Sequence, residues 1–122
     1  MNKRRASYRR GLWAERLAAL YLMFKGYRIL AMRYKTPVGE IDILARKRDY
    51  LVAVEVKARD SVDKAFESVQ PRARARIEKA LKHFLAINEE YAAYGLRFDV
   101  IALCMRLPFS LRHLDNAWEA RP

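Results

Sequence analysis

Acidic side chains interrupt the two most strand-like segments of this chain, and they are the first candidates for chemistry. Asp42 lies within an Ile-Asp-Ile run, and Glu55 lies within a Val-Glu-Val-Lys run that ends at Lys57. Burying an ionised group is costly unless the group is paired or bound to a metal. A chain that places three such groups inside apolar strands is therefore expected to use them.

The spacing of these residues places them on one face of a predicted hairpin. Side chains alternate across a strand, so Glu55 and Lys57 point the same way, roughly 6.5 Å apart along the strand. If the turn consists of residues 48–49, Asp42 lies opposite Glu55, with the two Cβ atoms about 5 Å apart. A longer turn would shift this register by a residue or two. The hairpin thus predicts two carboxylates and an amine in one site.

Two close carboxylates repel each other, and a bound divalent cation removes the repulsion. Mg²⁺ prefers oxygen ligands and is usually held by one or two carboxylates, waters and substrate phosphates. The expected ligands are Asp42, Glu55 and the backbone carbonyl of Val56, with Mn²⁺ able to replace Mg²⁺. Lys57 would position or deprotonate the attacking water, and Glu15 would add a ligand or orient one. The alternative is a buried ion pair that only supports the fold.

The elements that must position these residues alternate between helix and strand periodicity. We predict helices over residues 11–25 and 71–94 and strands over residues 27–34, 38–46, 50–58 and 96–104, with a short edge strand at 111–114. The order α-β-β-β-α-β predicts an α/β fold in which helices flank a central mixed sheet. Residues 1–10 are expected to form a basic N-terminal tail ahead of a single domain over residues 11–122.

The composition indicates a basic, folded protein that binds polyanions. The chain has 122 residues, a net charge of +11 and one cysteine, and its pI is about 10.2. Nucleic acid is the first expected partner and an anionic membrane surface the second; a merely basic or ribosome-associated protein is the alternative. One cysteine excludes an intramolecular disulfide and a cysteine-rich zinc site. No apolar run approaches the about 20 residues of a membrane span, so we expect a cytoplasmic protein.

Candidate nucleic-acid contacts lie on the second predicted helix and in the segment before it. They are Arg59, Gln70, Arg72, Arg74 and Arg76. Helped by the positive end of the helix, they would form a phosphate track beside the acids; the alternative is a solvated cationic face. Asp99, by contrast, is expected to be a buried structural acid paired with Arg97 or Arg59.

The motifs carry a family likeness. Asp42, followed by the Glu-x-Lys of Glu55 and Lys57, resembles the PD-(D/E)XK nuclease superfamily, and the element order is similar to its core. More narrowly, the chain resembles the YraN family of uncharacterised endonuclease-like proteins over about residues 11–118. The shared motifs are Ala14-Glu15, Gly26-Tyr27, Gly39 to Asp42, Val54 to Arg59 and Arg97 to Val100. This family is similar in turn to archaeal Holliday-junction resolvases.

The resemblance implies a restriction-endonuclease-like core and an active-site set of Glu15, Asp42, Glu55 and Lys57. It also implies a Mg²⁺-dependent endonuclease that hydrolyses phosphodiester bonds of DNA, with branched or flapped structures as candidate substrates. A protein of this size that cuts both strands would act as a homodimer. The alternatives are a nucleic-acid-binding protein with a nuclease fold and little activity, and a basic adaptor whose acids are only paired. One departure is Ala73, which stands where a basic or amide residue is expected.

Overall fold

A computed structural model of the chain describes residues 3–104 and 106–120. Over these residues the helices are α1 (Lys3–Phe24), α2 (Val62–Glu67) and α3 (Pro71–Ile87), and the strands are β1 (Arg28–Thr36), β2 (Gly39–Lys47), β3 (Tyr50–Arg59), β4 (Gly95–Cys104) and β5 (Ser110–Trp118). A short 3₁₀ helix, Glu89–Tyr91, follows α3. The predicted α/β fold is confirmed: helices flank a mixed sheet in an arrangement consistent with a restriction-endonuclease-like core.

The five strands form one sheet in the order β1-β2-β3-β4-β5. Strands β1, β2 and β3 are joined as an antiparallel meander. Strands β3 and β4 are parallel, and β5 returns antiparallel to β4. A parallel pair needs a long crossover, and α2 and α3 supply it. The crossover is what brings α3 to the end of the sheet that carries Glu55 and Lys57.

Two apolar clusters cover the two faces of the sheet. The cluster under α1 includes Ala18, Leu22, Val52, Val54 and Ile101. The cluster under α3 includes Leu44, Leu51, Ala53, Ile77 and Leu81. Strand β3 therefore alternates between the clusters, as the period-2 pattern predicts. Glu55 and Lys57 follow Ala53 on the α3 side, at the point where the apolar cover ends.

Helix α1 begins at Lys3, earlier than the predicted start at residue 11. Lysine, arginine and alanine are favourable helix formers, so the helix takes in most of the segment interpreted as a basic tail. It ends at Phe24, and Gly26 then turns the chain with a φ of 88°, the left-handed conformation that glycine adopts easily. In the described part of the chain, no helix is both long and apolar enough to cross a membrane.

Helix α3 ends at Ile87, not at residue 94 as predicted. The side-chain amide of Asn88 donates a 2.8 Å hydrogen bond to a carbonyl one turn earlier, which satisfies one of the terminal carbonyls of the helix. Two glutamates follow, and negative charge is unfavourable at the C-terminal end of a helix dipole. The chain instead forms the 3₁₀ helix and reaches β4.

Strand β5 extends to Trp118, beyond the predicted edge strand at 111–114. The Trp118 ring stacks on Phe98 with centroids 5.2 Å apart. Its indole Nε1 donates a 3.0 Å hydrogen bond to Glu78 of α3. An aromatic side chain with both an apolar face and a polar partner therefore anchors the C-terminal segment that the sequence pattern left undefined.

A buried polar network joins β4 to β5. The carboxylate of Asp99, which is fully buried, accepts two hydrogen bonds of 2.9 Å from Arg97. His113 Nε2 lies 2.7 Å from the same carboxylate, and the Asn116 amide donates to it at 3.0 Å. Burial alone would raise the pKa of Asp99, but the bonds from His113 and Arg97 outweigh it and lower the pKa. Arg97, one of the two predicted partners, is therefore the one that pairs with Asp99.

Candidate active site

A cleft of about 580 Å³ opens at one end of the sheet, bordered by α1, β1, β2, β3, α2 and α3. All four predicted active-site residues line it: Glu15, Asp42, Glu55 and Lys57. Val56, the predicted source of a backbone ligand, lines it as well. The fold thus brings together one helical glutamate and three strand residues that are distant in sequence.

The hairpin between β2 and β3 sets the relation of the two central acids. Lys47 pairs with Tyr50, so the turn contains the two residues of the predicted turn. Arg48 in this turn has a φ of 53°, a left-handed conformation that two-residue hairpins favour. The ladder continues as far as Ile43 and Val54. The next residue on each strand is Asp42 or Glu55, so the predicted register is confirmed.

The Asp42 carboxylate replaces a backbone acceptor where this ladder ends. Its Oδ2 atom accepts a 2.9 Å hydrogen bond from the amide of Val56. If the ladder continued in the same register, Val56 would lie opposite Ile41 and its amide would bond to the backbone of β2. The side chain of Asp42 is therefore fixed by the backbone of β3, one residue beyond Glu55. This bond holds the two carboxyl groups in a defined relation.

Glu55 has the most perturbed acid–base equilibrium of the cleft. Burial, a hydrogen bond with Asp42 and the negative charge of Asp42 together raise the pKa of Glu55 to about 9, although Lys57 opposes the shift. At neutral pH without a metal, the pair of carboxyls therefore holds one proton. Lys57 forms no salt bridge with any described residue. The structure therefore does not show the alternative, a structural ion pair between Lys57 and an acid, among the described residues.

Glu15 enters the cleft from α1 and is almost entirely buried. Its Oε1 atom lies 3.4 Å from Nε of Arg33, a residue of β1 that we did not predict from the sequence. Burial and the charge of Asp42 raise the pKa of Glu15, whereas Arg33 opposes the rise. Arg33 also lines the cleft. Only the register of β1 against β2, which brings Arg33 beside Asp42, could have indicated it.

The oxygen donors of the cleft fit the chemistry of a Mg²⁺ site. Asp42 and Glu55 supply hard oxygen ligands in one cleft, and two carboxylates are a usual protein contribution to such a site. Within residues 3–104 and 106–120, no group of three or more His, Cys, Asp or Glu side chains is placed to hold a metal ion. The residues that could hold Mg²⁺ are therefore Asp42, Glu55 and the carbonyl of Val56, with waters and substrate oxygens as the other ligands. Glu15, paired with Arg33, stands outside this set.

The structure divides the predicted nucleic-acid contacts into two groups. Arg59 and Arg76 line the cleft, whereas Gln70, Arg72 and Arg74 do not. The guanidinium of Arg74 instead lies 5.4 Å from the centre of the Trp118 ring. Ala73 faces the cleft at the position where a basic or amide side chain was expected, and it adds no polar group there.

Three further charged residues, for which the sequence predicts no role, border the cleft: Glu40, Asp60 and Lys64. Lys64 reaches it from α2, a helix that begins after Ser61, whose side-chain oxygen accepts a hydrogen bond from the Lys64 amide. Glu40 lines the cleft from β2. Ser61 as a helix N-cap could have predicted that a helix carries Lys64 toward the cleft. Glu40 could have been predicted from its position two residues before Asp42, on the same face of the strand.

Gly39 determines how closely β2 approaches α3. A Cβ atom at this position would lie 2.0 Å from the backbone oxygen of Arg76, which is too close for any side chain. In the Gly-Glu-Ile-Asp motif, the first residue must therefore be glycine because no side chain fits beside Arg76, and the last residue supplies the carboxylate of the cleft. This contact of two main chains sets the position of Arg76 at the cleft.

The chain is similar to a known protein family over most of its length. The model of the uncharacterised protein family UPF0102 matches residues 14–103. A UPF0102 protein of Bradyrhizobium diazoefficiens is 50% identical over 119 residues, which cover 97% of this chain and 87% of that protein. UPF0102 proteins of Rhodopseudomonas palustris strain HaA2 (48% identity; 96% and 90% covered) and Parvibaculum lavamentivorans (48%; 93% and 84%) are similar over most of their lengths. The match spans α1 to β4 and includes every residue of the candidate site, and on this basis the chain belongs to the UPF0102 family.

Proposed function

We propose that this protein is a Mg²⁺-dependent endonuclease that hydrolyses phosphodiester bonds of DNA. The observation that carries the proposal is the convergence of Asp42 and Glu55 in one cleft, where burial, a hydrogen bond with Asp42 and the charge of Asp42 raise the pKa of Glu55 to about 9. Perturbed carboxyl groups in a cleft are typical of functional sites, because a structural pair would be matched by a cation. The net charge of +11 supports an anionic polymer as the substrate.

Six residues of the cleft have a proposed role that their positions support. The carboxylates of Asp42 and Glu55 and the carbonyl of Val56 would hold Mg²⁺. When bound, the ion supplies a Lewis acid that polarises the phosphodiester and lowers the pKa of a coordinated water. Lys57 Nζ, on the same face as Glu55, would orient the attacking water, accept its proton when neutral, or stabilise charge on the phosphate oxygens. Arg59 and Arg76 would contact phosphates on either side of the scissile bond.

Metal binding is the first test of this proposal. Calorimetric titration with Mg²⁺ and Mn²⁺ should show binding to the wild-type protein and none to Asp42→Ala. Glu40→Ala is a matched control, because Glu40 lies on the same strand and in the same cleft but outside the proposed ligand set. Equal metal affinity in the wild-type protein and Asp42→Ala would contradict the proposed site.

Cleavage is the second test. Linear, flapped and four-way DNA should be incubated with Mn²⁺ and the wild-type protein, and with Glu55→Ala and Lys57→Ala. We expect products from the wild-type protein alone, and the preferred substrate will identify the class of DNA structure. Cleavage that survives both substitutions would come from a contaminant and would contradict the proposal.

A nucleic-acid-binding protein with this fold and little activity is the second candidate. It is favoured by the pairing of Glu15 with Arg33 and by the proton that the Asp42–Glu55 pair holds in the metal-free state. In this case DNA binding and metal binding would be measurable, but no product would form on any of the three substrates. A basic adaptor, the third reading, would bind no metal at all.

A further inference from the structure

Arg33 has an unusual backbone conformation for a residue inside a strand. Its φ is 52°, in the left-handed region that residues other than glycine, asparagine and aspartate seldom occupy. Such a conformation persists where surrounding contacts hold it, and it is concentrated at functional sites. The ladder pairs Met32 with Ile43 and Tyr34 with Ile41, so Arg33 lies across from Asp42. The irregular residue of β1 therefore stands beside a proposed metal ligand.

The side chain of Arg33 contacts Glu15 and is partly exposed where it lines the cleft. Its Nε atom lies 3.4 Å from Glu15 Oε1; the Arg33 side chain is 43% exposed and that of Glu15 only 9%. Glu15 is thus a buried anchor, and Arg33 presents a guanidinium at the cleft surface. A guanidinium is a planar fork of N–H donors, which matches two oxygens of a phosphate better than an ammonium does.

We propose that Arg33 contacts a phosphate of the substrate backbone and that Glu15 is the positioning residue that directs it. This inference rests on the proposed function, because it assumes that the cleft receives a phosphodiester. It assigns Glu15 a role in substrate binding, whereas the sequence predicts that Glu15 adds a metal ligand or orients one. It also gives the left-handed conformation of Arg33 a function, since the backbone is held where the guanidinium can reach both Glu15 and the cleft.

The test measures DNA affinity as a function of salt. Fluorescence anisotropy with a labelled four-way DNA, in buffer containing EDTA so that hydrolysis does not intervene, gives Kd at several salt concentrations. Arg33→Asn keeps a side chain that tolerates positive φ and removes the guanidinium. We expect about a tenfold increase in Kd, and a loss of roughly 0.9 from the slope of log K against log salt, which corresponds to one phosphate contact.

Two variants control for charge and for folding. Arg28→Asn removes the same charge from the same strand at a residue that does not line the cleft, and it should leave the slope unchanged. Arg33→Lys keeps the charge without the fork, and it should retain the slope while binding severalfold more weakly than wild type. If Arg33→Asn does not fold, the Arg33→Lys result decides the inference by itself.

A double variant separates contact from support. If Arg33 contacts phosphate, Arg33→Asn should still lower the slope in a Glu15→Gln background. If Arg33 only supports Glu15, neither substitution will change the slope more than Arg28→Asn does, and the inference is overturned. Failure of the wild-type protein to bind DNA at all would instead overturn the proposed function, and the inference with it.

Discussion

The amide of Val56 donates a 2.9 Å hydrogen bond to the carboxylate of Asp42, across the end of the β2–β3 ladder. One acid of the candidate site is therefore fixed by the strand that carries the other acid. Because the donor is a backbone amide of β3, no substitution on that strand except proline at position 56 removes it. The site can thus be changed chemically at Asp42 while its geometry is kept.

The first prediction uses this relationship. Asp42→Asn retains an oxygen that can accept from Val56 but removes the charge that raises the pKa of Glu55. In the absence of metal at pH 8, we expect the variant to be more stable than wild type by about 1 kcal/mol, as measured by urea unfolding. Added Mg²⁺ should raise the Tm of wild type and not that of the variant. A variant that is less stable without metal would show that the charge of Asp42 supports the fold.

The second prediction concerns pH. The pKa of Glu55 is raised from 4.5 in the unfolded chain to about 9 in the folded protein. The folded state therefore binds the extra proton, and the corresponding stability is fully present below pH 4.5 and is lost as pH rises through about 9. The free energy of unfolding, measured by urea titration, should decline over this range with a limiting slope of about 1.4 kcal/mol per pH unit. Glu55→Gln should flatten the decline.

The same shift predicts how metal affinity depends on pH. Carboxylates must be deprotonated to bind a cation, so metal binding releases the proton held by the Asp42–Glu55 pair. We expect the Kd for Mg²⁺ to decrease as pH rises from 6 to 9, with up to one proton released per ion. Calorimetry in two buffers of different ionisation enthalpy measures this release. A Kd independent of pH would contradict the assignment of the proton to this pair.

The third prediction tests the buried network of β4 and β5. Asp99→Asn leaves Arg97 without its anionic partner, and breaking a buried pair costs roughly 3–5 kcal/mol, measurable by urea unfolding. The pKa of Asp99 is lowered from 3.8, so its contribution is present above pH 3.8 and is lost as pH falls through the folded pKa. Asp115→Asn, at an exposed position of the neighbouring strand β5, should have little effect above or below pH 3.8.

The fourth prediction compares two glycines. Gly39→Ala would place a Cβ atom 2.0 Å from the backbone oxygen of Arg76, so β2 or α3 must move. We expect a loss of about 1–3 kcal/mol in stability together with weaker DNA binding. Gly11→Ala meets nothing within 4 Å and lies within α1, so it should stabilise the protein by roughly 0.5–1 kcal/mol. Equal effects of the two substitutions would contradict the steric argument.

The fifth prediction distinguishes the cations of α3. Arg76 lines the cleft and Arg72 does not, although both were predicted to contact nucleic acid. Arg76→Gln should weaken DNA binding about tenfold and reduce the salt slope by roughly one contact, whereas Arg72→Gln should leave the slope unchanged. Anisotropy titrations at several salt concentrations compare the two. Equal losses would indicate that the phosphate track extends beyond the cleft.

The central hairpin was predictable because its information is local. Period-2 alternation assigns Glu55 and Lys57 to one face, and a two-residue turn fixes the register that places Asp42 next to Glu55. Glu15 was predicted as a further ligand of the site and was also implied by the resemblance, but nothing local in the sequence shows where its helix crosses the sheet. These two kinds of information together located all four predicted active-site residues that line the cleft.

The remaining contacts depend on packing between distant segments. Arg33 meets Glu15 only because α1 lies over β1 and because its backbone is left-handed, and neither property follows from the residue type. Arg74 lies against Trp118 because β5 runs further than its weak apolar pattern predicts. The rotation of α3 about its axis, which selects Arg76 for the cleft and excludes Arg72, is likewise set by the tertiary contact at Gly39.

The parallel pairing of β3 with β4 has a consequence for the synthesis of the protein. Glu55 pairs with Val100 and Lys57 with Ala102, so the strand that carries the proposed chemistry has one exposed edge until β4 has left the ribosome. Every residue that lines the cleft is translated before β4. A nascent chain therefore contains the complete set of cleft residues before it contains the strand that makes β3 internal to the sheet. A chain truncated before residue 95 would therefore expose β3 as an open edge prone to association.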